Sequence, residues 1–190
     1  MEKIKLGYAM TGSFCTLDKS IKEMARLAGM DHDILPIMSE NVYTVSTRFG
    51  KAQEIVTRVE DITHKSVIHT VSGAEPIGPR KLCDVLLVAP CTGNTLSKIA
   101  LGITDTPVTM AVKSQLRIGA PVVLCVASND ALGASAENIG KLLNRKNVYF
   151  VPLSQDDPEN KPNSLVGHFD KIPESIEKAL EGKQIQPLFG

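Results

Sequence analysis

Along this chain, short unbroken apolar runs take turns with segments whose apolar residues recur every three or four positions. The runs at 4–10, 33–38, 84–89, 121–127 and 148–151 predict strands, with a weaker one at 66–69. Val85-Leu-Leu-Val-Ala, Val122-Val-Leu-Cys-Val and Ile4-Lys-Leu-Gly-Tyr-Ala are apolar, or nearly so, at consecutive positions. In a strand that means burial on both faces, as in a parallel sheet covered by helices. Between them, Leu17, Ile21, Met24, Ala25 and Ala28 fall at helical spacing, with Gly29 expected to close the helix in a left-handed conformation. Phe49, Ala52, Ile55, Val56 and Val59 predict a second helix. Thr106-Pro107 places a cap before a proline at the first helical position. Ser135 is expected to cap a helix carrying Ile139, Leu142 and Leu143, with Lys141, Arg145 and Lys146 near its negative end. Pro173 opens a last helix through Ile176, Ala179 and Leu180. This alternation predicts a three-layer, doubly wound α/β fold around a parallel sheet, with flavodoxin-like or Rossmann-like strand order. No internal repeat interrupts it, and 190 residues suit one domain spanning 1–190.

Composition narrows the classes of function. Twenty-one basic and 21 acidic residues balance to a formal charge of zero, which argues against a nucleic-acid partner or a polybasic membrane surface. No apolar run approaches the roughly 20 residues of a membrane span, and the first residues lack the apolar stretch of a secretory signal. Cys15, Cys83, Cys91 and Cys125 show no Cys-x-x-Cys spacing and no histidines at metal-ligand spacing. They predict reduced thiols in a cytoplasmic protein without a metal site.

In an open α/β sheet ligands bind beyond the carboxyl ends of the strands, so the residues just after each strand carry the chemistry. The first strand runs into Thr11-Gly12-Ser13-Phe14-Cys15-Thr16, a glycine among hydroxyls at a helix start. That arrangement suits a terminal phosphate, although it is neither Gly-x-Gly-x-x-Gly nor a P-loop. Turn and capping chemistry alone is the competing explanation. The third strand ends in Pro90-Cys91-Thr92-Gly93-Asn94-Thr95, and the fourth in Ser128-Asn129-Asp130. Three polar strand ends on one rim could hold one mononucleotide. Two long proline-bearing stretches, 71–81 and 152–164, are either functional lids or plain surface connections.

The run Ala89-Pro90-Cys91-Thr92-Gly93-Asn94-Thr95-Leu96-Ser97-Lys98-Ile99-Ala100 resembles the Ala-Pro-Ala-Ser/Thr-Ala-Asn-Thr-Ile-Ala-Lys-x-Ala block of FMN-binding flavoproteins. This is the family of the peptidyl-cysteine and phosphopantothenoylcysteine decarboxylases. Thr11-Gly12-Ser13 is similar to their first phosphate loop, and Asp105-Thr-Pro-Val-Thr109 stands where they have Ala-Asp-Asn-Leu-Leu-Thr. The resemblance implies a flavoprotein fold. It also implies an FMN site drawn from Thr11, Gly12, Ser13, Ser39, Thr92, Gly93, Asn94, Thr95 and Thr109. Two departures stand out. The stretch Glu75-Pro-Ile-Gly-Pro-Arg-Lys lacks the decarboxylases' catalytic histidine, and Val126-Ala-Ser-Asn129 keeps only the asparagine of their Pro-x-Met-Asn block. Cysteine decarboxylation is therefore not expected.

Ser46-Thr-Arg-Phe-Gly, Ala74-Glu-Pro-Ile-Gly-Pro, Asn129-Asp-Ala-Leu-Gly and the 155–164 stretch resemble a narrower, sporulation-associated branch of that family. The likeness implies one component of a mother-cell oxidoreductase. Its reaction would be dehydrogenation of a dihydropyridine-type dicarboxylate to its aromatic form, together with a Rossmann-type partner protein that binds NAD(P). It would also assemble as a homo-oligomer. Asn129, Arg48, Arg80 and Lys161 are the candidates for the substrate carboxylates. No residue stands out as a catalytic base. The alternatives are a scaffold that kept the fold and lost FMN, or a flavodoxin-like electron carrier, which the balanced charge disfavours. His32, His64, His69 and His168 fall outside the matching blocks and read as surface or structural, and Cys91 as a small buried thiol.

Overall fold

A computed structural model describes residues 3–190 of the chain. Five strands, β1 (Lys5–Met10), β2 (Asp33–Met38), β3 (Val85–Cys91), β4 (Val122–Ser128) and β5 (Val148–Phe150), lie in parallel in the order 2-1-3-4-5. Each falls within two residues of the run that predicted it, because an unbroken apolar run leaves a strand buried on both faces as its economical solution. All seven residues of β3 are buried.

Alternate residues of these strands feed two cores. Leu6, Tyr8 and Met10 face one, with Leu17, Ile21 and Met24 of α1 (Phe14–Gly29) and Val56 and Val59 of α3 (Ala52–Thr63). Leu86, Val88, Leu124 and Val126 face the other, with Leu96 and Ile99 of α5 (Gly93–Leu101) and Val108 and Val112 of α6 (Pro107–Arg117). Helix α7 (Ala136–Leu143) joins the second core and α8 (Ile172–Leu180) the first. Each large aliphatic so buried is worth roughly 1.5–3 kcal/mol. Tyr8 gives the first core its polar tie: its hydroxyl meets Ser20 O at 2.9 Å, and Ser20 Oγ donates to Ala89 O at 2.6 Å. Burial pushes the Tyr8 hydroxyl pKa upward, so it stays a neutral donor.

The structure adds elements that hydropathy did not announce. The stretch after β5 forms an antiparallel ribbon, β6 (Leu153–Ser154) with β7 (Leu165–Gly167), making a seven-stranded mixed sheet. β7 pairs with Ala127 and Ser128 of β4, while β5 takes only Val122 to Leu124. The outer edge of β4 is thus shared. The 71–81 stretch is ordered too, as α4 (Val71–Ala74) and a 3₁₀ turn (Glu75–Ile77) packed on α6. Gly78 is required there: its N–H donates to Ser114 Oγ at 2.8 Å, and a Cβ would lie 1.9 Å from Ser114 O.

Several local expectations need correction. Residues 66–69 make one parallel bridge, Ile37 to Ile68, at the edge of β2 rather than a strand. Gly29 ends α1 in ordinary helical conformation, and Asp31 two residues on takes the left-handed one (φ 65°). Phe49 precedes α3 and is exposed, leaving a short α2 (Glu40–Thr44) and a turn before it. Ser135 precedes α7 but makes no side-chain cap; its hydroxyl turns to Asp130. Thr106 does cap α6, in a reciprocal box with Thr109.

Candidate functional site

Helix α1 leaves β1 toward one face of the sheet and α5 leaves β3 toward the other, so the ends of β1 and β3 part. This is the switch point at which doubly wound sheets bind ligands. A cleft of about 440 Å³ opens there, within the range of small-molecule sites. Its floor is Gly12, Ser13, Thr92 and Gly93, extended by Ser128 and Asn129 at the end of β4. A larger hollow, about 730 Å³, lies at the opposite edge, where strands begin, lined by residues such as His32, Asp33, Lys65 and Asp84. Its charges answer one another, Lys65 to Asp33 and Lys3 to Asp31. We take the rim cleft as the site because only there do helix starts and strand ends converge.

Thr11 builds the floor from beneath. Its buried hydroxyl donates to Pro90 O at 2.7 Å and accepts from Thr92 N at 3.0 Å, stitching the end of β1 to that of β3. Thr92 Oγ1 in turn caps α5, accepting from Thr95 N at 3.4 Å and standing 3.2 Å from Thr95 Oγ1. The Thr11 hydroxyl is therefore committed inside the chain, while Thr95 Oγ1 accepts from Thr92 Oγ1. Ser13 sits at the start of α1, where its side chain makes no cap and accepts from Thr16 Oγ1 at 2.9 Å. The first N–H groups of a helix have no intrahelical acceptor, and the first turn of α1 carries no acidic residue. Beside it Ser39 N donates to Met10 O at 3.0 Å, while Ser39 Oγ is buried with no hydrogen-bond partner.

The end of β4 carries a second polar knot. Ser128 Oγ and Ser135 Oγ both donate to Asp130 Oδ1, at 2.5 and 3.1 Å. Gly93 lies against this knot: a Cβ there would fall 2.6 Å from Ser128 Oγ and 2.9 Å from both Asp130 Oδ1 and Ser135 Oγ. The glycine at this place in the Ala-Pro block thus has a steric cause in this chain.

Two segments wall the cleft. One is the 47–50 turn, closed by paired Thr47 and Gly50 backbone bonds, in which the Arg48 guanidinium lies 4.8 Å over the Phe49 ring. The other is the β6–β7 ribbon, which brings Lys161 and Asp156 together at 3.2 Å. Asp156 beside it raises the Lys161 ammonium pKa, keeping it charged. Cys15, exposed, completes the lining on the α1 side.

Of the residues singled out in the sequence, the fold brings Gly12, Ser13, Thr92, Gly93, Asn129, Arg48 and Lys161 to this cleft. Thr11 and Thr95 lie beneath it, and Ser39 beside it. Asn94 is exposed outside its lining. Thr109 is buried in the α6 capping box, and Arg80 lies on the approach to β3, toward the edge where strands begin. Ser128 and Cys15, which stand in the strand-end runs quoted from the sequence but not among its named site candidates, line the cleft, as does Phe49. Strand parity was the available signal for Ser128, which shares its face with Leu124 and Val126. His69, read as surface or structural, stands on the rim side through the Ile68 bridge, its ring stacked on Tyr43 at 3.8 Å.

Comparison with known proteins identifies the family. Residues 1–177 match the family model described as Flavoprotein. The chain is 41% identical over 184 residues, 97% of its length and 92% of the relative's, to the B subunit of dipicolinate synthase from Bacillus subtilis. It superposes on the crystal structure of the dipicolinate synthase B subunit from Bacillus halodurans with a TM-score of 0.89 and 41% identity, covering 97% of this chain and 95% of that one. Burkholderia xenovorans DmrB in complex with FMN, a cubic protein cage for redox transfer, shares the fold at a TM-score of 0.70 and 18% identity, covering 95% and 97%. The chain belongs to the flavoprotein family.

Proposed function

We propose that the chain is the B-type subunit of a dipicolinate synthase. In this reading it is one domain that holds FMN and a heterocyclic dicarboxylate in the rim cleft, and it acts with the synthase's A-type subunit, a Rossmann-type protein that binds the nicotinamide cofactor. One observation carries the reading. At the switch point an anion-ready helix start and two lip cations, Arg48 and Lys161, open onto the same cleft, in a chain kin to the B subunit of dipicolinate synthase over nearly its whole length.

The residues present fit the cofactor. Ser13, Gly12 and the N–H groups opening α1 suit its phosphate, and the unanswered Ser39 hydroxyl beside them is a buried polar atom lacking a partner, which such a group would supply. Thr92 and Gly93, which line the same cleft, would hold its ring system. A bound flavin supplies a two-electron acceptor. The chain's own part is positional. Arg48, and Lys161 once it exchanges Asp156 for the ligand, would meet the two carboxylates, and Asn129 would orient one of them. Because loss of a hydride and a proton leaves an aromatic ring, orientation and exclusion of water account for most of what the protein needs to provide. The DmrB cage supports a homo-oligomeric assembly. No helix among the described residues is long and apolar enough to cross a membrane.

A second reading, a protein that kept the fold without the flavin, draws on the intrachain commitment of the Thr11 and Thr109 hydroxyls. Titration of the purified chain with FMN, followed by visible absorbance and flavin fluorescence, separates the two. The flavin reading expects a bound spectrum that weakens about tenfold in affinity in Ser13→Ala. No binding at high FMN would leave the second reading standing, with the redox chemistry on the A-type partner.

A further inference from the structure

Resting on that reading, we propose that Ser128 is an acceptor-only recognition residue, so that the cleft selects a heterocycle presenting a ring N–H over one presenting a lone pair. Ser128 lines the cleft at the end of β4. Its hydroxyl hydrogen is already committed, because it donates to Asp130 Oδ1 at 2.5 Å, an oxygen that accepts from Ser135 Oγ as well. Asp130 is held in place for this. Ser135 donates to the same oxygen at 3.1 Å, and the backbone N–H groups of Gly133 and Ser135 donate to Asp130 O at 2.9 and 3.2 Å. The bare backbone of Gly93 leaves the room the three side chains occupy. What Ser128 offers a ligand is therefore a lone pair.

The chemistry that satisfies it is a donor in the ring plane, between or beside the carboxylates that Arg48 and Lys161 neutralise. A partly reduced nitrogen heterocycle in its N–H form supplies one; an aromatic pyridine at neutral pH does not. When a hydride leaves a ring carbon for a flavin- or nicotinamide-class acceptor and the N–H proton passes to water, the ring nitrogen is left with a lone pair facing Ser128 Oγ. Two acceptors then oppose each other without a hydrogen between them, and each lacks a partner. The same residue that registers the reduced ring disfavours the aromatic one, which promotes release of product.

The test is isothermal titration of the full chain, with and without saturating FMN, against two dicarboxylates of one shape. Pyrrole-2,5-dicarboxylate carries a ring N–H, and furan-2,5-dicarboxylate carries a ring-oxygen lone pair in its place. Pyridine-2,6-dicarboxylate serves as the aromatic product. The expected result is binding of the pyrrole about tenfold tighter than of the furan. In Ser128→Ala the gap falls below about twofold. In Asp130→Ala it closes from the other side, since the freed hydroxyl can turn and donate to the furan. Thermal unfolding of each variant shows whether it is folded, and the two variants reach the same hydroxyl by different routes. Equal affinities in the wild type, or a gap that survives in folded Ser128→Ala, would overturn the inference and leave the dicarboxylate reading intact. If none of the three dicarboxylates binds, the reading of the cleft as a dicarboxylate site falls, and this inference with it.

Discussion

Replacing Gly93 with alanine tests the polar knot at the end of β4 directly. The added methyl would meet three oxygens at 2.6, 2.9 and 2.9 Å, all closer than a methyl carbon tolerates. Relief requires Ser128 or Ser135 to rotate away, which forfeits a hydrogen bond to a carboxylate, or α5 to shift at its first turn. Losing one such bond costs about 1.5–3 kcal/mol, and overpacking of this size about 1–3 kcal/mol. Alanine recovers part of that through its better helix propensity, at most about 1 kcal/mol and less at a helix start than in an interior. The balance is a loss of roughly 1–2 kcal/mol, or about 3–6 °C in melting temperature for a chain of this size. Gly140→Ala is the internal control. Gly140 sits inside α7 with nothing within 4 Å of its would-be Cβ, so the same substitution there gains about 0.5–1 kcal/mol. Urea unfolding of both variants, and of Gly93→Ala combined with Ser128→Ala, reads the three quantities. The double variant is expected to recover part of the loss, since the closest contact is removed. If Gly93→Ala matched Gly140→Ala in sign and size, the knot would not be where we place it.

Two further predictions concern the exposed rim and the α5–α6 connection. Cys15 is exposed whereas Cys83, Cys91 and Cys125 are buried, and burial pushes the Cys83 and Cys91 thiols up to about 12 and raises Cys125 as well. Ellman's reagent at pH 8 is therefore expected to titrate one thiol rapidly in the native chain and none in Cys15→Ser, with FMN slowing the reaction several-fold; two thiols reacting at equal rates would contradict this. Asp105 accepts from Lys98 through both oxygens, at 2.9 and 2.8 Å, which holds its carboxyl below the usual range. A depressed folded pKa adds stability above the unfolded value of ~3.9 and loses it as pH falls through the folded one. Asp105→Asn is thus expected to lower stability at pH 7, with the difference from wild type fading below that value; a difference independent of pH would refute the pairing.

The sheet core was legible because its strands are buried on both faces, and short, Val-rich apolar runs bounded by turn residues favour a strand over a buried helix segment. The ribbon was not, because its strands are two and three residues long and owe their existence to the half of β4 that β5 leaves unpaired. That vacancy belongs to tertiary structure and has no trace in the hydropathy of 152–167. The capping expectations divide along the same line. Thr106 caps α6 because its partner, Thr109, is three residues away and the whole motif is local. Ser135 fails to cap α7 because Asp130 offers its hydroxyl a charged acceptor. At the rim the glycine and hydroxyl pattern pointed to the floor of the cleft. Thr11 and Thr95, candidates for the cofactor in sequence, lie beneath it and bond to Pro90 and Thr92. Arg80 precedes a strand rather than following one, and that alone was enough to place it toward the edge opposite the cleft.

The split edge of β4 also explains how one fold family can keep a cofactor site while changing what lies over it. The floor comes from β1 and β3, neighbours at the centre of the sheet, and Thr11 ties them together by two hydrogen bonds. A change there disturbs both cores. The walls come from the 47–50 turn and from the β6–β7 ribbon, whose β7 pairs with Ala127 and Ser128 of β4 and whose Leu153 and Leu165 are buried in the second core. Length and charge in the 47–50 turn and in the exposed connection between β6 and β7 can vary at little cost to the cores, since loops tolerate substitution that strands buried on two faces do not. Ser128 is the residue at which the two regimes meet. Its backbone pairs with the ribbon, its side chain bonds to Asp130, and its position opposite Gly93 constrains the floor. Under the reading proposed here, chemistry inherited with the fold sits on the floor and specificity on the walls. A change of substrate within the family then needs new residues on the ribbon and at the end of β4, with the switch point left alone.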